Sequence, residues 1–408
     1  MRKVLTTGHF RVVTQGCLEP MRIDHRPTFQ GDIFVPEFGC SSIVSNQSYQ
    51  TSAMKITWLG LSLGAALLAS VMEGQNPSPK ATITPWPQGR SAAISLTFDD
   101  GINTDLDFAG PILKKHHLNG TFFVTTGMGP WEKRKPEWKQ LAEAGNELAN
   151  HTVHHPCLLP EITPHSQDYT PEMMESEIAG AAKQITELLN THRGLTFAYP
   201  CGNMSFGRPQ DEVKNAALYA RYVSEHAFGA RGVGMGAVSS DELNVLDISD
   251  LGPTAGKGFI DLLKMAESAL QAHVWGVYCF HGIGGDWLSV TPEALDELTD
   301  YLARHKEVWT ATFGDVLRYI QERKAASIDV KQTDAGGFTV AMGWPLDQQV
   351  YDVPLTLQME LLGVWNKVTV TGDGKKLVPQ LVAQTNSTVI RIDVPTQTKV
   401  VLISREAR

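Results

Sequence analysis

Two adjacent carboxylates, Asp99 and Asp100, end an apolar run in the stretch ISLTFDDG. In this run Ile94, Leu96 and Phe98 alternate with smaller or more polar residues, which is the period of a β-strand with one buried face. Adjacent acids at the end of a packed strand repel each other unless a cation or a proton-transfer reaction uses them. The stretch therefore indicates a metal site or an acid–base site, although a solvated DDG turn would account for the same residues.

Histidines in the stretch HTVHH are suitable partners for these acids. His151 and His155 are four residues apart, and with one carboxylate they make a three-ligand set for a divalent metal that leaves room for water. His154 competes at three-residue spacing, so the spacing alone leaves both pairs open. A further histidine, His281, ends the late strand VWGVYCF and would lie on the same rim if the strands form a barrel.

Strands and helices must alternate along the chain to position these residues. Strand-like runs such as NGTFFV and LTFAYP alternate with helix-like segments such as EMMESEIAGAAKQITELLN. That rhythm is typical of a parallel sheet or barrel, in which functional groups gather at the carboxyl ends of the strands. From about Ile328 short alternating runs separated by turns predict a β-sandwich over residues 328–408. We expect this module to pack against the barrel, with carbohydrate binding or a lid as alternatives.

The N-terminal segment differs from the rest. Its stretch MKITWLGLSLGAALLAS, which starts at Met54, has a basic start, a short apolar run and small residues at its end, as secretory signals do. We predict a doubtful extension at residues 1–53, a signal peptide at 54–72, a linker at 73–90 and a secreted or periplasmic product. A retained membrane anchor is the alternative.

The composition is that of an ordinary globular protein, with 42% hydrophobic and 19% charged residues among 408. A net charge of −9 argues against nucleic acid or another polyanion as the partner. Beyond the N-terminal segment the cysteines are Cys157, Cys201 and Cys279. This odd number leaves open either one disulfide or buried free thiols. The sequence predicts no particular oligomeric state.

The motifs TFDDG, NGTFFV, GNELANHTVHHP and the late strand ending in His281 resemble, in order and spacing, those of the polysaccharide deacetylases with a NodB homology domain, carbohydrate esterase family four. The resemblance covers roughly residues 94–320. It implies an α/β fold, a distorted (β/α) barrel at residues 91–325, that binds a divalent metal, most often zinc. It also implies a secreted enzyme that removes N-acetyl groups from an amino sugar polymer or oligomer, with an N-acetylated glycan as its partner.

The resemblance implies a role for each of five residues: the catalytic base Asp99, the metal ligands Asp100, His151 and His155, and the catalytic acid His281. Histidines at the two ends of H-[ST]-x-x-H leave His154 outside the ligand set. The chemistry agrees with these roles, because an acetamide is a poor electrophile. Its hydrolysis needs a polarising metal, a base for the water proton and an acid for the departing amine.

Departures from the family pattern affect the later motifs. Where the family has an arginine that orients the base, FAYPCG places Ala198, and we predict Arg231 in FGARGVG as the substitute. Cys201 stands in place of a tyrosine whose backbone N–H holds the oxyanion, a donor that survives the side-chain change. The aspartate of the fourth motif is unclear, and Asp247 in NVLDISD lacks the usual neighbouring tryptophan. Trp287, on the glycine-rich loop HGIGGDW, is predicted to contact substrate.

Two other functions fit the same motifs. The altered third motif fits an amidase acting on a non-acetyl or cyclic amide, although the predicted export signal argues against cytosolic metabolism. The second alternative is a non-catalytic glycan-binding protein with a degenerate site. Retention of both acids and of the histidines argues against it.

Overall fold

The computed structural model describes residues 79–405. The predicted extension and signal peptide, residues 1–72, lie outside the described residues. Strands in the described part are β1 (Ala81–Ile83), β2 (Ala92–Asp100), β3 (Thr121–Val124), β4 (Glu147–Asn150), β5 (Phe197–Ala198), β6 (Ala230–Arg231), β7 (Trp275–Phe280), β8 (Val308–Thr310), β9 (Ser327–Gln332), β10 (Phe338–Gly343), β11 (Leu355–Leu362), β12 (Val368–Gly372), β13 (Lys375–Leu377), β14 (Pro379–Ala383), β15 (Ser387–Val394) and β16 (Val400–Arg405).

The helices alternate with the first eight strands, as predicted. They are α1 (Gly110–Lys115), α2 (Gly129–Lys133), α3 (Lys135–Glu143), α4 (Pro171–Leu189), α5 (Glu212–His226), α6 (Phe259–Ala272), α7 (Pro292–Arg304) and α8 (Phe313–Ala325). Several begin with a threonine whose side chain accepts a backbone N–H of the first turn, as Thr170 does for α4 and Thr312 for α8. Within residues 79–405, no helix has both the length and the apolar character needed to cross a membrane.

A parallel sheet forms the centre of the larger domain. Its strand order is β6-β5-β4-β3-β2-β7, and β8 also pairs with β2. Between β6 and β7 isolated bridges, Arg231 with Ile248 and Pro253 with Cys279, take the place of regular strands. The barrel is therefore closed by irregular chain, and the predicted distorted (β/α) barrel is confirmed.

Apolar side chains pack on both faces of this sheet. Ile94, Leu96 and Phe98 of β2 join one buried cluster, and Ala93 joins a second one with Trp275. The sequence predicts one buried face for this strand, whereas all of its residues are buried. Helices cover each side of a parallel sheet, so its central strands have no solvent-facing side.

The C-terminal module consists of two antiparallel sheets, β1-β11-β15-β14 and β13-β12-β16-β10-β9. They share a core that includes Val340, Leu357 and Ile390, and the predicted β-sandwich is confirmed. Ala81–Ile83 pair with β11, and Trp86 is fully buried, within the segment that the sequence analysis treats as a linker. A three-residue strand carries too little periodicity to be recognised without its partner.

Helix α8 joins the sandwich to the barrel. The hydroxyl of Tyr319 donates to the carbonyl of Thr84 at 3.0 Å. The guanidinium of Arg318 donates to the carbonyl of Val350 at 2.7 Å. Because these partners are largely buried, the sandwich packs closely against the barrel, as the sequence analysis expects.

Candidate active site

The two acids of the opening motif lie at the carboxyl end of β2. Asp100 has a φ of 77°, and Gly101 follows with a φ of 67°. A left-handed φ at a non-glycine residue is costly and is found mostly at functional sites. This backbone conformation interrupts the strand alternation that would send adjacent side chains to opposite faces, and Asp99 and Asp100 line one cavity.

Asp100 meets two histidines from the loop that follows β4. Its Oδ1 lies 3.5 Å from Nε2 of His151 and 3.4 Å from Nε2 of His155. Three atoms around a tetrahedral zinc, with bonds of about 2.05 Å, would be about 3.4 Å apart. The donor set and its spacing therefore fit a divalent metal ion. His155 and the neighbouring Thr152 have φ values of 56° and 67°, a second strained segment at the same place.

Hydrogen bonds fix which ligand atoms face the cluster. Nδ1 of His151 donates to the carbonyl of Ala198 at 2.8 Å, which leaves Nε2 free for a metal. The indole N–H of Trp287 donates to Oδ2 of Asp100 at 2.7 Å, which leaves Oδ1 free. His154 instead bonds Glu177 at 2.8 Å, and its side chain is 60% exposed. Of the three clustered histidines, two face Asp100 and His154 does not.

Asp99 lies beside a buried arginine. Its Oδ2 accepts a charge-assisted hydrogen bond from Arg231 and also lies 3.5 Å from the thiol sulfur of Cys279. Its Oδ1 is buried and has no hydrogen-bond partner among the described residues. Asp99, Cys279 and His281 each have one atom that could bind a metal, and these three atoms lie within 4.8 Å of one another. The structure therefore brings the predicted base and the predicted acid together.

The charges of these groups follow from their surroundings. Burial alone would raise the pKa of Asp99, but Arg231, with His151 and His281, outweighs burial and holds that pKa below its usual value. Burial would also raise the pKa of Asp100, but the hydrogen bond with His151 outweighs burial and the pKa is lowered. Burial and the neighbouring His151 lower the pKa of His155 to about 4. At neutral pH both carboxylates are ionised and His155 is neutral, as metal ligation requires.

Comparison with known proteins identifies the segment that carries this cluster. Residues 87–220 match the family model described as polysaccharide deacetylase. This segment of the chain is similar to polysaccharide deacetylases. The match includes both acids and the histidine cluster, whereas Arg231, His281 and Trp287 lie beyond it.

Similar proteins cover this chain to different extents. A gellan lyase of a Bacillus species is 23% identical over 332 residues, 73% of this chain and 12% of that protein. The peptidoglycan-N-acetylmuramic acid deacetylase PdaA of Bacillus subtilis is 33% identical over 112 residues, 27% of this chain and 41% of that protein. The chain thus spans less than half of the length of either relative. The solved structure of B. subtilis PdaA, a family 4 carbohydrate esterase, is 19% identical, covers 58% of this chain and 83% of that one, and has a TM-score of 0.37.

The cavity that these acids and histidines line has a volume of about 460 Å³. Cys201 lines it with a φ of 52°, and its sulfur is bonded to Cys157, with the two Cα atoms 5.9 Å apart. Of the alternatives that the cysteine count leaves open, the structure has the single disulfide, and Cys279 is a buried free thiol. The disulfide ties the loop after the metal-facing histidines to the loop after β5.

One residue of this site is not identified by the sequence analysis. Asp250 is 2% exposed, and its Oδ2 lies 3.5 Å from Nη1 of Arg231. Its Oδ1 accepts the backbone N–H of Gly252 at 2.8 Å. Asp247, the acid that the sequence offers at this place, is exposed. No local sequence signal marks Asp250, because its burial depends on the contact with Arg231 from β6.

Proposed function

We propose that the deacetylase domain is a metal-dependent hydrolase that removes N-acetyl groups from an amino sugar polymer or oligomer and releases acetate. The proposal rests on one observation: a three-ligand set of Asp100, His151 and His155 shares a cavity with the ionised Asp99 and with His281. The name of the B. subtilis relative, a peptidoglycan-N-acetylmuramic acid deacetylase, supports an N-acetylated glycan as the substrate class.

Asp100, His151 and His155 would hold the metal. Two imidazoles and one carboxylate with an open position suit zinc best among the common divalent ions. When bound, such an ion supplies Lewis acidity to the acetamide carbonyl and acidifies the attacking water.

The remaining residues move protons and bind charge. Asp99 takes the proton of the attacking water on Oδ1, the oxygen without another partner, while Arg231 holds Oδ2 and keeps the carboxylate ionised. The backbone N–H of Cys201 donates to the oxyanion that develops on the acetyl carbonyl oxygen. His281 protonates the nitrogen as the C–N bond breaks. The products are acetate and a free amino sugar.

The proposed location is outside the cytoplasm. The disulfide between Cys157 and Cys201 supports an oxidising compartment, since cytosolic thiols are kept reduced. A secreted or periplasmic enzyme would also meet its N-acetylated glycan there. We propose no nucleic-acid partner, in keeping with the net charge of −9.

The first test of the function measures acetate release by the full chain after metal removal and zinc reloading. The substrates are chitin oligomers, peptidoglycan, acetylated xylan and N-acetylglucosamine. We expect chelator-sensitive release from at least one N-acetylated substrate. No release from any substrate by the zinc-loaded protein would favour a non-acetyl amide or a binding protein.

Variants test the separate roles. Asp99→Asn should lower the rate of acetate release by about 10²- to 10⁴-fold while one zinc remains bound. Unchanged release would rule out Asp99 as the base. A matched pair of neighbouring histidines tests the ligand set: His155→Gln should weaken zinc binding, and His154→Gln should not, since His154 faces Glu177.

A further inference from the structure

Apolar side chains are concentrated at the mouth of the active-site cavity. Of the fifteen large hydrophobic side chains that are exposed in residues 79–405, five line this cavity: Leu159 at 44%, Val233 at 60%, Met235 at 87%, Trp287 at 47% and Leu288 at 55% exposure. They come from three different loops, which follow β4, β6 and β7. Single exposed apolar residues are ordinary, but a cluster around a concave site marks a binding surface.

Backbone strain holds one of these side chains in place. Leu288 has a φ of 50°, and Asp286 in the same loop has a φ of 60°. A bulky residue in the left-handed region costs on the order of 1 kcal/mol or more, which glycine would avoid. The fold thus holds an apolar side chain towards solvent at a cost in stability. Such a cost is expected where the side chain contacts a ligand and is not expected for an ordinary surface side chain.

A close approach fixes a second apolar side chain. A Cβ added to Gly202, in the loop after β5, would lie 2.5 Å from Cγ2 of Val233. Only glycine at position 202 therefore lets Val233 pack beside the Cys201 loop. The disulfide from Cys201 to Cys157 then links this wall to the loop that carries Leu159. The apolar wall is preorganised on at least two of its sides.

The chemistry of the wall is aliphatic. Trp287 is the one aromatic residue among the five, and its N–H already donates to Asp100. Thr254 in the lining donates its hydroxyl to the carbonyl of Cys279 at 2.7 Å, so it has no donor left for a ligand. Within the described residues the lining contains acids and histidines but no lysine or arginine. The exposed wall therefore matches a neutral aliphatic group better than a carboxylate or a phosphate.

We propose that this wall binds an aliphatic chain of the substrate beside the scissile amide. The inference rests on the proposed function for the reaction and adds the substrate class, an amphiphilic N-acylated amino sugar. The chain is either the acyl group itself or an alkyl aglycone of the sugar. In both cases water adds its OH to the acyl carbon and a proton to the nitrogen as the C–N bond breaks, which gives a carboxylate and a free amine. The cavity, at about 460 Å³, equals roughly fifteen water volumes and has room for such a chain.

The test follows free-amine release by the zinc-loaded full chain from two substrate series. One series is glucosamine N-acylated with acetyl, butyryl, hexanoyl or octanoyl groups, and the other is the methyl to octyl β-glycosides of N-acetylglucosamine. We expect KM to fall about two- to fourfold for each added methylene in one of the series, which identifies the source of the chain. A KM that is flat or rises with length in both series, with acetate still released, overturns this inference and leaves deacetylation intact.

A binding measurement keeps the two proposals separable if no amide is cut. Calorimetric titration with octyl glucoside, which has no scissile amide, should show saturable binding, and methyl glucoside should not bind. If no amide is cut, absence of octyl glucoside binding would overturn the inference.

Surface variants test the wall itself. Leu288→Gly removes the apolar side chain and relieves the left-handed backbone, so we expect the variant to fold. Met235→Ser changes a side chain that is 87% exposed. Each should raise KM for the longest effective chain at least fivefold more than KM for the shortest. The control, Val213→Ser, alters an equally exposed apolar residue outside the lining and should leave chain-length dependence unchanged. Equal effects of all three variants would contradict the proposal.

Discussion

Asp99 is kept ionised by a residue that lies far from it in the sequence. It would be costly to bury this carboxylate without a cation. Arg231 is itself 1% exposed and lies between Asp99 and Asp250. We therefore propose a positioning role for Arg231, because it contacts the proposed base and is closed off from solvent.

Replacing Arg231 by methionine tests this positioning role. Because two buried carboxylates lose their cation, we expect the free energy of unfolding to fall by about 3–5 kcal/mol. The pKa of Asp99 would rise, so the acid limb of the kcat/KM profile should move to higher pH. Denaturant unfolding and a pH–rate profile on the residual folded protein measure the two effects.

The conservative variant is the control. Arg231→Lys keeps the charge and should retain most of the acid limb while losing the paired geometry. A loss of stability in Arg231→Met without any movement of the acid limb would limit Arg231 to a structural role.

At this scale the sequence is most informative where the motifs are local. Asp100, His151 and His155 share short motifs, and the structure places their side chains together. Asp250 is different, because two acids three apart in DISD look alike in the sequence. Its burial is decided by the approach of Gly252 and Arg231, contacts that no local pattern encodes.

At the scale of elements, the loops after β4 and β5 form one unit. The disulfide between Cys157 and Cys201 joins them across 44 residues. It lies next to the proposed metal ligand His155 on one side and to the proposed oxyanion donor on the other. The sequence leaves this pairing open, since three cysteines allow three pairings or none.

The double variant Cys157→Ser with Cys201→Ser should be less stable than the wild type. Closing a loop of this length contributes about 4 kcal/mol in the chain-entropy description, and measured losses are about 2–5 kcal/mol. Guanidinium unfolding with and without reductant measures the difference. Reductant should lower the midpoint of the wild type and leave that of the double variant unchanged. Coincident curves for both proteins under oxidising conditions would contradict a stabilising role.

The order of strands and helices in the barrel is readable from periodicity, and the irregular closure between β6 and β7 is not. The chain from Val238 to Pro253 makes isolated bridges with Trp275 and Cys279 and has no repeating pattern. It is positioned by its contacts with β7 and not by propensity.

At the scale of the whole molecule, the interface between barrel and sandwich contains a buried acid. Glu322 on α8 is fully buried, and its Oε1 accepts an N–H of Gln348 at 3.0 Å. Its Oε2 has no partner within residues 79–405. Burial raises the pKa of Glu322 to about 7, and the hydrogen bond from Gln348 only partly offsets this.

This carboxyl makes the stability of the fold depend on pH. The folded protein holds the Glu322 proton more tightly than the unfolded chain, whose pKa is near 4.5. Its contribution is therefore complete below about pH 4.5 and is lost as the pH rises through about 7. Between pH 5 and pH 8.5 the free energy of unfolding of the wild type should fall by on the order of 1–3 kcal/mol through this group. We expect Glu322→Gln to lack this decrease. Urea unfolding at the two pH values measures it.

The control for charge loss is Glu297→Gln on the exposed side of α7. This variant should keep the pH dependence of the wild type. If Glu322→Gln keeps it as well, Glu322 is not the group responsible.

Strand β1 has a consequence for the order in which the molecule can be completed. Its partner on β11 lies far along the chain, Ala81 opposite Met359. A ribosome that adds about 5–20 residues per second makes that partner roughly 15 to 55 seconds later. During this interval Ala81–Ile83 have no strand to pair with. A chain interrupted before β11 therefore keeps β1 unpaired and leaves that segment open to proteases.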